Sequence, residues 1–216
     1  MDIYVDSANM NDIRQAKELG LADGVTTNPT LIAKEGGEFL EILKDICKEI
    51  TGPVHAEVLS LDFEGIVQEG KDLASISDNI VIKIPMMHDG LKAVKALNSE
   101  GINTNVTLIF SPGQAILAAK AGATYVCPFL GRLDDISSDG LELVGIIRSI
   151  LVNNPDLETK IIAASIRTPN HVVELSAMGV DILTIPAKVL KQLENHPLTD
   201  IGIKQFTKDA EKFKKK

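Results

Sequence analysis

The feature that most constrains this chain is an alternation: short β-branched runs take turns with longer segments of helical period, all the way to the C-terminus. The runs predicted as strands are Ile3 to Asp6, Gly24 to Thr27, Val54 to Val58, Val81 to Ile84, Asn103 to Ile109, Thr124 to Pro128, Ile161 to Ser165 and Asp181 to Ile185. Between them Phe39, Leu43, Ile46, Cys47 and Ile50 recur at spacings of three and four, as do Phe63, Ile66, Val67 and Leu73. Both segments are therefore predicted amphipathic helices. Punctuation agrees: Gly52-Pro53 stops the first, Asp62 can cap the second, and Asp89 is expected just before a helix carrying Leu91 and Val94. Asn28-Pro29 and Ser111-Pro112 mark loop-to-helix turns.

Eight such strands in 216 residues, roughly 27 residues per unit, match a closed parallel α/β barrel, (β/α)8, with its helices outside. Ile203, Phe206, Ala210 and Phe213 predict one extra C-terminal helix that ends in a lysine tail favoured by the helix dipole. An open doubly wound sheet of the dinucleotide-binding kind would carry G-x-G-x-x-G after its first strand, whereas Asp6 is followed by Ser-Ala-Asn. No linker or compositional shift divides the chain, so residues 1–216 are read as a single domain.

Charge narrows the function classes. With 22 basic and 30 acidic residues the formal net charge is -8, the wrong sign for coating nucleic acid or an anionic membrane surface. A small anionic ligand would need local cations. The start, Met-Asp-Ile-Tyr-Val-Asp, has no basic leader, and no apolar run reaches the roughly 20 residues that span a bilayer, so a cytoplasmic location is expected. Cys47 and Cys127 stand apart and predict no disulfide. His55, His88, His171 and His196 show no ligand spacing, so no metal is expected, and Gly36-Gly37 opens no phosphate loop.

In a barrel of this type chemistry gathers at the C-terminal ends of the strands. Those ends offer Asp6, Thr26 with Asn28, Glu57, Lys83, Asn105 with Thr107, Cys127 with Phe129, Ser165 with Arg167, and Thr184. Lys83 is the sharpest signal, because Val81-Ile82-Lys83-Ile84-Pro85 puts an amine inside an apolar strand. Desolvation disfavours an ammonium and favours the neutral amine that can attack a carbonyl. The competing reading, a structural lysine paired with Asp6 or Glu57, stays open at this level. Two carboxylates, Asp6 and Glu57, facing one amine suit acid and base work, although each alone could equally be a cap or an ion-pair partner. Arg132 and Arg167 both follow strands and, with the Ser165 hydroxyl, form a candidate phosphate clamp, since planar guanidinium groups bind phosphate bidentately. Arg14 and Arg148, on helices, are expected in surface ion pairs.

Taken together, these residues resemble the small-subunit transaldolase family. The resemblance lies in Val5-Asp6-Ser7-Ala8-Asn9, Gly24-Val25-Thr26-Thr27-Asn28-Pro29-Thr30 and Val81-Ile82-Lys83-Ile84-Pro85. It continues in Thr104 to Phe110, Pro128-Phe129-Leu130-Gly131-Arg132 and Ala163-Ala164-Ser165-Ile166-Arg167. It implies a cofactor-free enzyme that moves a three-carbon dihydroxyacetone unit between sugar phosphates in the pentose phosphate pathway. It further implies that Lys83 forms an imine, Asp6 is the base for carbon–carbon cleavage, and Glu57 with Thr107 handles a water. Asn28 and Asn105 would hold substrate hydroxyls, with Thr26, Cys127 and Phe129 against the substrate, and Arg132, Ser165 and Arg167 would take the phosphate. A ring-like homo-oligomer, pentamer or decamer, would be the assembly. Two departures stand out: Cys127 occupies a position where many relatives have Ser, and the frequent C-terminal tryptophan is missing. Related fructose-6-phosphate aldolases tend to have Tyr and Gln where Phe129 and Glu57 stand, which favours the transferase. A non-catalytic barrel holding phosphorylated ligands on Arg132 and Arg167 is a further possibility of the fold, and an intact Lys83 argues against it.

Overall fold

A computed structural model describes residues 1–214 of the chain; Lys215 and Lys216, the end of the expected lysine tail, lie outside the described residues. Eight parallel strands close into a barrel in sequence order. They are β1 (Asp2–Asp6), β2 (Gly24–Thr26), β3 (Val54–Glu57), β4 (Ile80–Pro85), β5 (Thr104–Ile109), β6 (Tyr125–Pro128), β7 (Lys160–Ala163) and β8 (Ile182–Ile185). Helix α1 (Met10–Glu18) follows β1, α2 (Pro29–Glu35) and α3 (Phe39–Glu49) follow β2, and α4 (Phe63–Ala74) follows β3. After β4 and β5 come α5 (His88–Ser99) and α6 (Pro112–Lys120), and after β6 come α7 (Leu130–Asp134) and α8 (Gly140–Asn153). Then α9 (Pro169–Ala177) follows β7, and α10 (Ala187–Glu194) and α11 (Pro197–Lys214) complete the chain. The predicted (β/α)8 TIM barrel and its extra C-terminal helix are thus both present.

Strand periodicity decides which residues meet. Because side chains alternate across a strand, one parity faces the helices and the other faces the barrel axis. Val5, Val25, Val54, Ala56, Ile82, Val106, Ile161 and Leu183 join the helices in one large buried cluster. The other parity, Tyr4, Val81, Tyr125, Cys127, Ile162 and Ile182, forms a separate cluster inside the barrel. The same inward parity carries Asp6, Thr26, His55, Glu57, Lys83, Asn105 and Thr107, as the neighbour pairs Glu57–Lys83 and Lys83–Asn105 require.

Loop chemistry sets the helix starts. Asn28, Ser111 and Thr168 each cap a helix whose next residue is proline, in α2, α6 and α9. Asp62 caps α4 as expected. Asp89 does not precede its helix: Met87 is the cap residue, and Asp89 lies in the first turn, where it pairs with Lys92 at 3.1 Å and accepts from the Phe63 amide. Arg14 and Arg148 form the expected ion pairs, with Glu49 and Asp181. The predicted strand limits shift by one or two residues, most visibly in β7, which ends at Ala163 because Ser165 has φ 61° and cannot continue an extended run. Leu108, with φ 59°, sits at a register shift near the end of β5, next to Thr107.

Gly24 shows how tightly the interior is packed. It is the lateral partner of Tyr4, and a Cβ there would lie 2.7 Å from the Pro53 carbonyl oxygen and 2.7 Å from the Tyr4 ring. Gly24→Ala should therefore cost about 1–3 kcal/mol, as overpacked cores do, read as a lowered midpoint in urea. A midpoint equal to wild type would mean that the Tyr4 ring has room to move aside.

Candidate active site

At the C-terminal mouth, ten of the residues named from the sequence, Asp6, Thr26, Asn28, Lys83, Cys127, Phe129, Arg132, Ser165, Arg167 and Thr184, line one cavity of about 330 Å³. Larger cavities, about 540 and 570 Å³, lie among the outer helices, and the buried charges do not line them. The chemistry therefore belongs to the mouth rather than to the largest cavity.

Lys83 is 2% exposed and makes two polar contacts. Its Nζ lies 3.1 Å from Glu57 Oε2 and donates to the Thr27 carbonyl at 3.0 Å. Glu57 is thus the partner, on the adjacent strand, and Asp6 is not. The Phe129 ring centroid stands 5.9 Å from the same nitrogen. Asp6 accepts from the Thr26 hydroxyl at 3.0 Å, and Thr26 in turn hydrogen-bonds the Thr184 hydroxyl. Burial holds the Asp6 carboxyl above its ordinary range, against the opposing pull of Lys83, the Thr26 hydrogen bond and Lys34.

Three residues expected at the site lie outside this cavity. Glu57 reaches it only through Lys83 and itself lines a neighbouring apolar cavity of about 160 Å³ with Asn28, Phe39 and Leu59. Asn105 and Thr107 are wholly buried. Asn105 Nδ2 lies 3.1 Å from His55 Nδ1, while Asn105 Oδ1 and Thr107 Oγ1 have no hydrogen-bond partner among the described residues. Thr107 faces the Cys127 thiol, which burial pushes up to about 12 despite the opposing Lys83 and Thr107, so that Cys127 remains a thiol and no nucleophile. Asn28 spends its Oδ1 on capping α2, which leaves its amide NH2 for a ligand.

The arginines are poised differently. Arg132 extends from the short helix α7 with its guanidinium carbon 5.0 Å from the Phe129 ring centroid, and it has no carboxylate partner among the described residues. Arg167 pairs with Asp135 at 2.8 Å. The two segments are in close contact, since a Cβ on Gly131 would collide with the Ser165 carbonyl and the Arg167 side chain. Sequence reading missed Lys34, which lines the cavity from α2 with Thr30 and Leu31. Its signal was the three- and four-residue spacing from those neighbours behind the Asn28 cap. Among the described residues no cluster of three potential metal ligands occurs and no helix is long and apolar enough to cross a membrane.

An eight-stranded barrel whose mouth joins a buried amine, two carboxylates and two guanidinium groups has the architecture of a barrel enzyme. Comparison with known proteins gives the family. The family model described as Transaldolase/Fructose-6-phosphate aldolase matches residues 3–216, and the chain belongs to that family. It is 58% identical over its whole length, and over the whole of the relative, to a "Probable transaldolase" of Caldicellulosiruptor saccharolyticus. It is 57% identical to one of Kosmotoga olearia, covering 100% of this chain and 98% of that one. Among solved structures, the inosine 5' monophosphate dehydrogenase of Legionella pneumophila superposes with TM-score 0.59 at 14% identity, over 87% of this chain and 58% of that one; it shares the fold alone.

The raised Asp6 pKa sets the sign of a stability effect. A carboxyl whose folded value exceeds its unfolded value costs stability when ionised, and the cost disappears as pH falls through the folded value. Asp6→Asn should therefore raise Tm at pH 7.5, with the gain closing as the medium is acidified toward the carboxylate range. A Tm at pH 7.5 no higher than wild type would overturn this reading of Asp6.

Proposed function

We propose that the chain is a transaldolase that works through a Schiff base on Lys83, in the cytoplasm and in the non-oxidative pentose phosphate pathway. The reaction is sedoheptulose 7-phosphate plus glyceraldehyde 3-phosphate to erythrose 4-phosphate plus fructose 6-phosphate. The observation that carries it is the buried Lys83 amine 3.1 Å from Glu57, in a mouth shared with Asp6. Glu57 takes the ammonium proton, and the neutral amine attacks the C2 ketone of the ketose phosphate. Loss of water, handled by Glu57 as acid together with Thr107, leaves a positively charged iminium that acts as an electron sink. Asp6, its carboxylate desolvated, removes the C4 hydroxyl proton. The C3–C4 bond breaks toward the iminium, an aldose phosphate leaves, and a three-carbon enamine stays on Lys83 until an aldehyde phosphate accepts it. Asn28 and Asn105 hold hydroxyls, and Arg132, Ser165 and Arg167 take the phosphate. No cofactor is required. Assembly of several copies, in a pentameric or decameric ring, fits the same reading and is supported by the apolar side chains that α11 leaves exposed: Leu198, Ile201, Ile203, Phe206 and Phe213.

Fructose 6-phosphate with borohydride should fix a three-carbon adduct, and a peptide map should find it on Lys83. Lys83→Met, which keeps the volume and removes the amine, should fold and lose turnover. Full inactivation with Lys83 unmodified, or an active Lys83→Met protein, would sink the mechanism.

The family also contains fructose-6-phosphate aldolases, and Phe129 is the observation that favours the transferase. Its ring stands 5.9 Å from the Lys83 nitrogen and has no hydroxyl with which to deliver a proton to the enamine. The enamine therefore persists until an acceptor arrives. With fructose 6-phosphate and erythrose 4-phosphate, wild type should form more sedoheptulose 7-phosphate than free dihydroxyacetone, and Phe129→Tyr should shift the ratio toward dihydroxyacetone. More dihydroxyacetone than sedoheptulose 7-phosphate from wild type would make the chain an aldolase.

A further inference from the structure

Beneath the lysine the barrel interior holds a histidine that none of the steps above uses. His55 points inward from β3 two residues before Glu57, and it is wholly buried. Its ring packs between Tyr4 and Tyr125, with centroids 5.4 and 5.2 Å away. The rest of that layer is apolar, with Val81, Ile162 and Ile182. Burial, aided by the Lys83 charge, pushes its pKa down to about 3, so the ring stays neutral at working pH. Packing alone would be served by a phenylalanine, without desolvating two ring nitrogens, one of which, Nε2, has no protein partner.

The other nitrogen has a definite contact. Nδ1 lies 3.1 Å from Asn105 Nδ2. An amide nitrogen donates and does not accept, so Nδ1 must be the acceptor and the ring proton must sit on Nε2. That tautomer follows from the way the Asn105 amide is turned in the structure, with its NH2 spent on His55 and its Oδ1 left as a buried acceptor with no partner among the described residues. Asn105 is the lateral neighbour of Lys83, and both face inward. A buried acceptor in that condition is costly unless a ligand donates to it.

We propose that His55 is a positioning residue for the lysine site: as a neutral acceptor it locks the Asn105 amide with its oxygen reserved for a substrate hydroxyl beside the Lys83 iminium. The inference rests on the Schiff-base reading given above. Without His55 the amide is free to turn over, presenting NH2 where the hydroxyl needs an acceptor. The bound intermediate then loses orientation, which lowers kcat more than it raises KM.

Two measurements test it. Nitrogen NMR of the wild type labelled with ¹⁵N-histidine should show His55 protonated at Nε2 and bare at Nδ1. A proton on Nδ1 would turn the amide oxygen toward His55 and overturn the proposal without any variant. In kinetics, His55→Phe keeps an aromatic ring between the tyrosines and removes the acceptor, whereas His55→Asn places a carbonyl oxygen near the former Nδ1 and leaves a void. His55→Phe should lose about tenfold or more in kcat, the worth of one buried hydrogen bond, with KM nearly unchanged. His55→Asn should recover most of that loss while melting at a lower temperature than wild type, a split that a packing role cannot produce. Equal loss in both variants, or wild-type turnover by His55→Phe, would overturn the inference. Should His55→Phe fail to fold, the NMR result and the His55→Asn kinetics still decide it. Borohydride trapping separates this from the parent reading. A wild type that is not trapped on Lys83 removes the Schiff base and this inference together, whereas trapping on Lys83 alongside a wild-type rate in His55→Phe removes this inference alone.

Discussion

The arrangement at the mouth depends on one constraint, that an amine has been placed inside a barrel with almost no contact with water. An uncompensated charge there would cost several kcal/mol or more, and the strand register supplies the compensation. Glu57 and Lys83 are lateral partners on β3 and β4, so their side chains leave the sheet side by side, and the Thr27 carbonyl accepts a hydrogen bond from the amine. The pair is held by backbone geometry instead of by two long flexible chains finding each other. That is why the pair can be buried: each charge has its partner beside it on the next strand. Asp6 stays outside the pair and hydrogen-bonds Thr26 instead, free to act on a ligand.

The parity of the strands builds the rest around this pair. Each inward position on a strand lies two residues from the next, so successive residues of one strand fall into successive layers along the axis. On β1 the layers are Tyr4 and Asp6; on β4, Val81 and Lys83; on β6, Tyr125 and Cys127; on β8, Ile182 and Thr184. A largely apolar and aromatic floor therefore lies under a polar ceiling, with His55 the polar exception in the floor. The floor keeps water from reaching the amine from below, and the ceiling meets the ligand.

Much of this was legible in the sequence because it depends on short-range pattern. All eight strands could be placed to within one or two residues, and the strand-end rule pointed to Lys83, Asp6 and the arginines. What escaped depends on tertiary geometry. Asp6 and Glu57 were equivalent partners for Lys83 on the page, and only the register separates them. Lys34 escaped because the position of α2 over the mouth is set by a loop rather than by its own period. The Ser165 turn, with φ 61°, could not be anticipated, since nothing local demands the left-handed region of a serine. Asn28 was read as a substrate contact, yet half of its amide is committed to a helix cap, a use that sequence equally allows.

A chain of net charge -8 that is to hold a phosphate must concentrate its cations, and the mouth does so with Arg132, Arg167 and Lys34. Under the Schiff-base reading those charges also oppose the amine, because a cation near Lys83 would raise the cost of the proposed iminium. Two features limit the conflict. Arg167 is bound to Asp135, so a phosphate arriving there would have to compete with a carboxylate, and the net positive charge of the mouth is reduced. Arg132 and Lys83 both lie near the Phe129 ring, at 5.0 and 5.9 Å from its centroid, so one aromatic side chain offers its electron-rich face to the guanidinium and to the amine. Phe110 meets that ring edge-on at 6.1 Å and limits its rotation. Phe129 thus stands between the Arg132 guanidinium and the Lys83 amine as a spacer with a favourable field.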